Sequence, residues 1–234
     1  TLLQIELQVH ALGGGVMVSV GVVEEKTSRI VEILLATVRP PKSLFIIGGG
    51  TYGVEIAQLM AIFGTKVYIS DVAARLLPKE DEEVGVLMER LLTEAKGATV
   101  LTQTRVLSAQ RSGLRKKVTY NRGGVEHTVQ VDEILVATGR RPNVDLGLEN
   151  ASVAYTPKGI DVNQYLQTSS RHIYAAGDVL GHDTHTHIAL LESRVAAQNL
   201  LQKQKVSPDY TAAPRLTFTF PGVASVGLTE DDCI

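Results

Sequence analysis

A chain of 234 residues, 44% hydrophobic and 21% charged, holds enough apolar material for one large or two modest globular domains. A formal net charge of -2, no Trp and a 5% aromatic share argue against nucleic-acid grooves and base-stacking platforms. The single cysteine, Cys233, excludes an intrachain disulfide framework and any Cys-Cys redox pair within this chain. In chain order, the apolar run from Ala11 to Val23 is broken by four glycines and is too short to span a bilayer. No basic stretch precedes it, so no signal-peptide cleavage pattern is evident and a cytoplasmic protein is expected. Gly13-Gly14-Gly15 has no third glycine in register and does not read as a nucleotide turn.

The most informative stretch follows. Ser43-Leu-Phe-Ile-Ile47 is an apolar strand that runs into Gly48-x-Gly50-x-x-Gly53 and then into a helical pattern. Gly48 suits the tight turn, Gly50 lets the backbone approach a pyrophosphate, and Gly53 lets the helix lie against the strand. The pyrophosphate is expected on the free N–H groups and positive dipole end of that helix. Val54, Ala57, Met60 and Ala61 share its inner face, Gly64 stops it, and Lys66–Ser70 forms a second strand ending at Asp71. A carboxylate roughly 20 residues past the turn accepts hydrogen bonds from the adenosine ribose hydroxyls. A 2′-phosphate there meets like charge, a penalty on the order of a few kcal/mol, so NAD is favoured over NADP. Arg75 has two readings, a solvated loop charge or a partner for that phosphate.

A helix is predicted next, with Val84, Leu87, Met88, Leu91, Leu92 and Ala95 as its apolar stripe and Gly97 as its end. Runs at 100–107, 117–121 and 126–131, with Arg122-Gly123-Gly124 as a turn, predict an antiparallel meander. Glu133-Ile-Leu-Val-Ala137 returns to the parallel sheet. Beyond about residue 146, Ile173–Ala176 is a short strand delivering Gly177 and Asp178 at its carboxyl end, where parallel sheets bind ligands. Thr186 opens a long helix through Ala189, Leu190, Ala196, Ala197, Leu200 and Leu201. Thr229 reads as the N-cap of a further helix with an acidic first turn. With Thr1 in place of Met and a helix announced just before Ile234, the chain reads as a fragment with parts missing at both ends.

Five motifs stand in a telling order: GGGTYGVE at 48–55, ATGRRPN at 137–143, YAAGDV at 174–179, THIALLESRVAAQN at 186–199 and FTFPGVASVGLTE at 218–230. In this the chain resembles the pyridine nucleotide-disulfide oxidoreductases, the flavoenzyme family of dihydrolipoyl dehydrogenase, mercuric reductase and glutathione reductase. The resemblance implies an α/β, Rossmann-like FAD/NAD(P)-binding fold with an antiparallel meander. It implies an NAD(P)-binding domain over 41–145, the C-terminal half of an FAD-binding domain over 146–207, and the truncated start of an α+β dimerisation domain over 208–234. Gly48, Gly50, Thr51, Tyr52 and Gly53 would hold the pyrophosphate, Asp71 the ribose, and Gly139 would flank the nicotinamide half. Glu55 has two readings, arranging the nicotinamide or serving as a first-turn acid that satisfies the helix dipole. Gly177 and Asp178 match the flavin ribityl site, and Thr186 and His187 the helix start near the flavin pyrimidine edge. The implied activity passes hydride from NAD(P)H to FAD and on to a disulfide or related acceptor, in a homodimer without nucleic-acid or membrane partners.

Departures from the family pattern matter as well. The redox Cys pair and the His-Glu acid/base pair of the family are not in this chain, so no catalytic residue is assigned, and a catalytically incomplete NAD(H)-binding fragment is the second hypothesis. Thr51 stands where some members place a gating tyrosine. Residues 13–40 instead resemble a cytoplasmic segment of ABC-type exporter permeases, which sets 1–40 apart as foreign, with unrelated coding sequences meeting near Pro40-Pro41, and leaves an exporter component as a weak third hypothesis. His182, His185 and His187 read as polar loop histidines rather than metal ligands, and no metal is assigned. Arg140 and Arg141 are expected to tie the NAD domain to the FAD domain.

Overall fold

The computed structural model describes residues 40–94, 98–182 and 184–234, and the backbone of 8–12 and 15–19. The exporter-like stretch from Gly21 to Arg39 lies outside the described residues, as do Gly13, Gly14, Ala95 and Gly97. Along the chain the strands are β1 (Gln8–Leu12), β2 (Gly15–Ser19), β3 (Ser43–Ile47), β4 (Lys66–Ser70), β5 (Ala98–Leu101), β6 (Thr104–Ser112) and β7 (Arg115–Arg122). They continue as β8 (Val125–Val131), β9 (Glu133–Val136), β10 (Tyr155–Thr156), β11 (Gly159–Ile160), β12 (Ile173–Ala176), β13 (Pro214–Thr217) and β14 (Val223–Val226). The helices are α1 (Thr51–Ile62), α2 (Glu82–Glu94), α3 (Thr186–Leu201) and the single turn α4 (Glu230–Cys233).

Two compact units divide the described residues: 40–139 with 214–234, and 8–12 and 15–19 with 140–213. In the first, β5-β4-β3-β9 make a wholly parallel sheet in that order. Alternation along β3 splits its side chains between two cores. Leu44 and Ile46 face α1 and α2, packing with Val54, Ala57, Met60, Met88 and Leu92. Phe45 and Ile47 face the other way, onto the antiparallel β6-β7-β8 meander, where Phe45 meets the rings of Tyr68 and Tyr120 at 6.1 and 5.8 Å. Each large side chain buried here contributes about 1.5–3 kcal/mol relative to exposure. Between β4 and β9 on either side of β3 lies the point where the chain leaves in both directions, and the glycine turn sits at the carboxyl end of β3 there.

Three local readings differ from the structure. The run 100–107 is not one strand: Gln103 takes φ +52° and breaks it into β5 of the parallel sheet and β6 of the meander. Leu87 is 47% exposed, because the buried stripe of α2 follows Gly85, Met88 and Leu92. In α3 the buried face is Ile188, Glu192, Val195, Ala196 and Asn199, whereas Leu190 and Leu201 are exposed.

The second unit is built around β12, which pairs parallel with β2, itself antiparallel to β1. Its core gathers Leu148, Val153, Ile160, Leu166, Ile173, Tyr174, Val179, Leu180, Val195 and Ala196. Asn199 is fully buried yet satisfied: Nδ2 donates to Tyr165 O and Val206 O, and Oδ1 accepts from Val206 N–H.

Candidate functional site

The carboxyl end of β3 is shaped by close backbone contacts. Gly48 has φ +114°, its N–H donates to Ser70 O at 2.7 Å, and a Cβ there would stand 2.4 Å from Ala137 O. A Cβ on Gly53 would fall 1.9 Å from Gly48 O, so the first turn of α1 presses directly on the turn that precedes it. Gly50 is the opposite case. It caps α1 without a side-chain hydrogen bond, and a Cβ there would have no heavy atom within 4 Å. The first intrahelical bond is Val54 N–H to Gly50 O, so the first turn of α1 begins at an open mouth with its dipole's positive end directed there.

Asp71, at the end of β4, braces this turn. Its Oδ2 accepts the Gly49 N–H at 2.5 Å and its Oδ1 the Ala73 N–H at 2.7 Å. The loop beyond returns to the same glycine, with Leu77 N–H donating to Gly49 O at 2.9 Å. Gly139, three residues past the end of β9, has φ +125° and open space where a Cβ would stand.

Glu55 lies past the first turn of α1, which holds no acid, so the dipole-satisfying reading fails. Its Oε1 accepts the Phe218 N–H at 2.7 Å. One turn on, Gln58 brackets Phe220, donating to its carbonyl at 2.9 Å and accepting its N–H at 2.7 Å. Thr51 Oγ1 stands 3.3 Å from Thr217 Oγ1. Burial holds the Glu55 carboxyl above the ordinary carboxylate range, against the Phe218 N–H that favours the ionised form. A folded pKa raised above the unfolded one stabilises the fold at low pH, and that contribution is lost as pH rises through the folded value. Glu55→Gln keeps an acceptor for Phe218 and removes the titration. Thermal melts at about pH 4 and about pH 8 should therefore show the variant at least as stable as the parent at the higher pH, with a flatter dependence between them.

In the other unit, β12 delivers Gly177, at φ +82° and ψ −158°, and then Asp178. Asp178 Oδ2 pairs with Arg140 Nη1 at 3.1 Å, and Arg140 Nη2 also donates to Thr184 O. Asp178 Oδ1 is buried with no hydrogen-bond partner. Burial pushes the Asp178 carboxyl above its ordinary range, with Arg140 and His185 opposing. α3 begins at Thr186 without a side-chain cap, and the His185 and His187 rings stack at 5.4 Å. Among the described residues no three His, Cys, Asp or Glu side chains gather into a metal-holding group.

Sequence reasoning missed Glu192. It is 1% exposed, its Oε2 accepts the Gly177 N–H at 2.6 Å, and its Oε1 accepts the Tyr210 hydroxyl at 2.8 Å. The signal was available: Glu192 stands three after Ala189 and four before Ala196, an acid on an apolar stripe. Glu80, also buried, holds Arg215 Nε at 3.2 Å and the Ser225 hydroxyl at 2.5 Å, and nothing local announces either partner.

A family model described as pyridine nucleotide-disulphide oxidoreductase matches residues 16–199, well over half of the chain. The chain belongs to that family. The match takes in residues 16–40 too, part of the segment set apart above as foreign. Among the relatives of this disulphide oxidoreductase chain is a dihydrolipoyl dehydrogenase of Bacillus subtilis, 39% identical over 81% of the chain and 41% of the relative. A mercuric reductase of Streptomyces lividans is 38% identical over 81% of the chain and 40% of the relative. A solved structure, the HOCl-induced flavoprotein disulfide reductase RclA from Escherichia coli, matches with a TM-score of 0.76 and 32% identity, covering 86% of this chain and 46% of that one. The chain thus spans about two fifths of the length of the curated relatives. No finding supports the exporter hypothesis, and among the described residues no helix is long and apolar enough to cross a membrane.

Proposed function

We propose that this chain supplies the dinucleotide-binding unit and part of the flavin-binding unit of a soluble, cytoplasmic, homodimeric oxidoreductase that passes hydride from NADH to FAD and on to a disulfide or related acceptor. The observation that carries the reading is the open, glycine-walled mouth of α1 with the Asp71 carboxylate bound behind it. Both cofactors fit what is there. The mouth offers N–H groups to a diphosphate, and the lone pairs that Asp71 has left after bonding Gly49 and Ala73 can accept ribose hydroxyls. The orphaned Oδ1 of Asp178 is a buried acceptor waiting for a hydroxyl, as a ribityl chain provides. Thr186 and His187 sit at the uncapped start of α3, where the dipole favours negative charge at a flavin pyrimidine edge.

When bound, NADH would supply the hydride and FAD would accept it, with the α1 mouth and Asp71 holding the first and Asp178 and the start of α3 the second. The domain scheme proposed is 41–145 for NAD(P), 146–207 for the second half of the FAD domain and 208–234 for the start of dimerisation. A second reading, a module that binds NAD(H) without turning it over, is favoured by one fact: Cys233 is the only cysteine, so no dithiol can form within this chain.

Fluorescence titration and dialysis of the purified chain test both. NADH is expected to bind in the micromolar range and more tightly than NADPH, with FAD retained well below one equivalent after dialysis. Failure to bind NADH would remove the dinucleotide reading. Stoichiometric flavin after dialysis would show that these residues alone complete the flavin site.

A further inference from the structure

The loop after β4 is fastened to the glycine turn at two points, Asp71 Oδ2 on the Gly49 N–H and the Leu77 N–H on Gly49 O. Arg75 lies between them. Its stem lies against α2, where a Cβ on Gly85 would stand 3.1 Å from the Arg75 Cδ, so meeting a phosphate on the ribose side requires the guanidinium to swing off that helix. The guanidinium is held elsewhere: Nη2 donates to Asp231 Oδ2 at 3.1 Å and to Glu80 O at 3.4 Å, while Nε is buried without a hydrogen-bond partner.

Asp231 comes to this contact prearranged. It lies on α4, whose cap at Thr229 is closed reciprocally by Asp232, and the neighbouring Glu230 N–H donates to Asp81 Oδ1 at 2.8 Å. The pair itself is open to water, with side chains 25% and 77% exposed, so the attraction is modest and screened. The unpaired Nε works against it. Even a modest, screened pair adds its own strength to the cost of turning the guanidinium toward another anion.

We propose that Asp231 is a specificity-determining residue of the dinucleotide site: by engaging Arg75 it keeps that guanidinium from a 2′-phosphate and reinforces the preference for NADH. The proposal rests on the dinucleotide reading of the glycine turn. A phosphate takes an arginine fork through two charge-assisted hydrogen bonds, whereas a ribose hydroxyl offers no charge to pair. Releasing Arg75 therefore favours NADPH selectively.

The test is Asp231→Asn in the full chain, isosteric and exposed, titrated with NADH and NADPH at about 50 mM salt. The NADPH dissociation constant is expected to fall about two- to five-fold and that of NADH to change less than about 1.5-fold. Adding Arg75→Ala should return the ratio to that of the Arg75→Ala single variant, which a general structural effect of Asp231 would not do. An unmoved NADPH-to-NADH ratio, or a gain that survives Arg75→Ala, overturns the proposal. Loss of NADH binding by the unaltered chain instead defeats the dinucleotide reading and this proposal with it.

Discussion

Replacing Gly53 by alanine is expected to abolish measurable NADH binding and to destabilise its unit by about 2–4 kcal/mol. The added methyl would lie 1.9 Å from Gly48 O, and neither side of that contact is a flexible side-chain end. To relieve it, α1 must lift from the turn by more than 1 Å or so, since carbon and oxygen settle near 3.2 Å or beyond. That displacement pulls Val54, Ala57 and Met60 away from Ile46 and moves the start of α1 that defines the mouth. Gly50→Ala is the informative control. Its Cβ has no neighbour within 4 Å and its φ of −75° suits any residue, so the fold should lose less than about 1 kcal/mol. The methyl would nevertheless project where a diphosphate has to approach. Melting curves and NADH titrations of the two variants should separate: lost stability and binding in Gly53→Ala, lost binding with near-parental stability in Gly50→Ala. A Gly50→Ala chain that binds NADH as the parent does would mean that the ligand does not enter by this mouth.

The parts of this site that sequence made legible are those where the constraint is local. β3, β4, β12 and the start of α3 coincide with their predicted bounds, and β9 ends one residue early at Val136, because an apolar run or a helical period ends at a glycine or a polar residue within a few positions. Gln103 shows the limit. A left-handed residue there separates two sheets, yet neither glycine nor asparagine marks it; the turn is held by Thr104 Oγ1 donating to Thr102 O and by backbone bonds from Gln103 and Thr104 to the loop at 71–73. What could not be read at all are pairings across long sequence separations. Glu55 with Phe218, Glu80 with Arg215 and Arg75 with Asp231 each join residues more than a hundred positions apart, and together they bind 214–231 to the unit that carries the glycine turn. Glu55 and Arg75 each carry two readings by themselves, nicotinamide or helix dipole for the first and solvated charge or phosphate partner for the second. Their contacts with Phe218 and Asp231 come only from the fold.

Asp71→Ser should weaken NADH binding by roughly ten- to thirty-fold, about 1.4–2 kcal/mol, because two separate functions rest on one carboxylate. The first is structural: Oδ2 fixes the Gly49 N–H and Oδ1 the Ala73 N–H, and one shorter hydroxyl cannot reach both. The second is electrostatic. A unit charge about 4 Å from a 2′-phosphate is opposed by about 4 kcal/mol at an effective dielectric of 20, and less where salt and water screen it. Serine abolishes that repulsion. NADPH therefore gains back some of what the loosened turn costs it, whereas NADH, with only a hydroxyl at that position, does not. The ratio of the two dissociation constants is the discriminating quantity, since a turn that is merely looser penalises both nucleotides alike. Equal losses for NADH and NADPH would leave Asp71 as a brace for Gly49 and take the ribose contact away from it; a narrowed ratio requires that the carboxylate face the adenosine sugar.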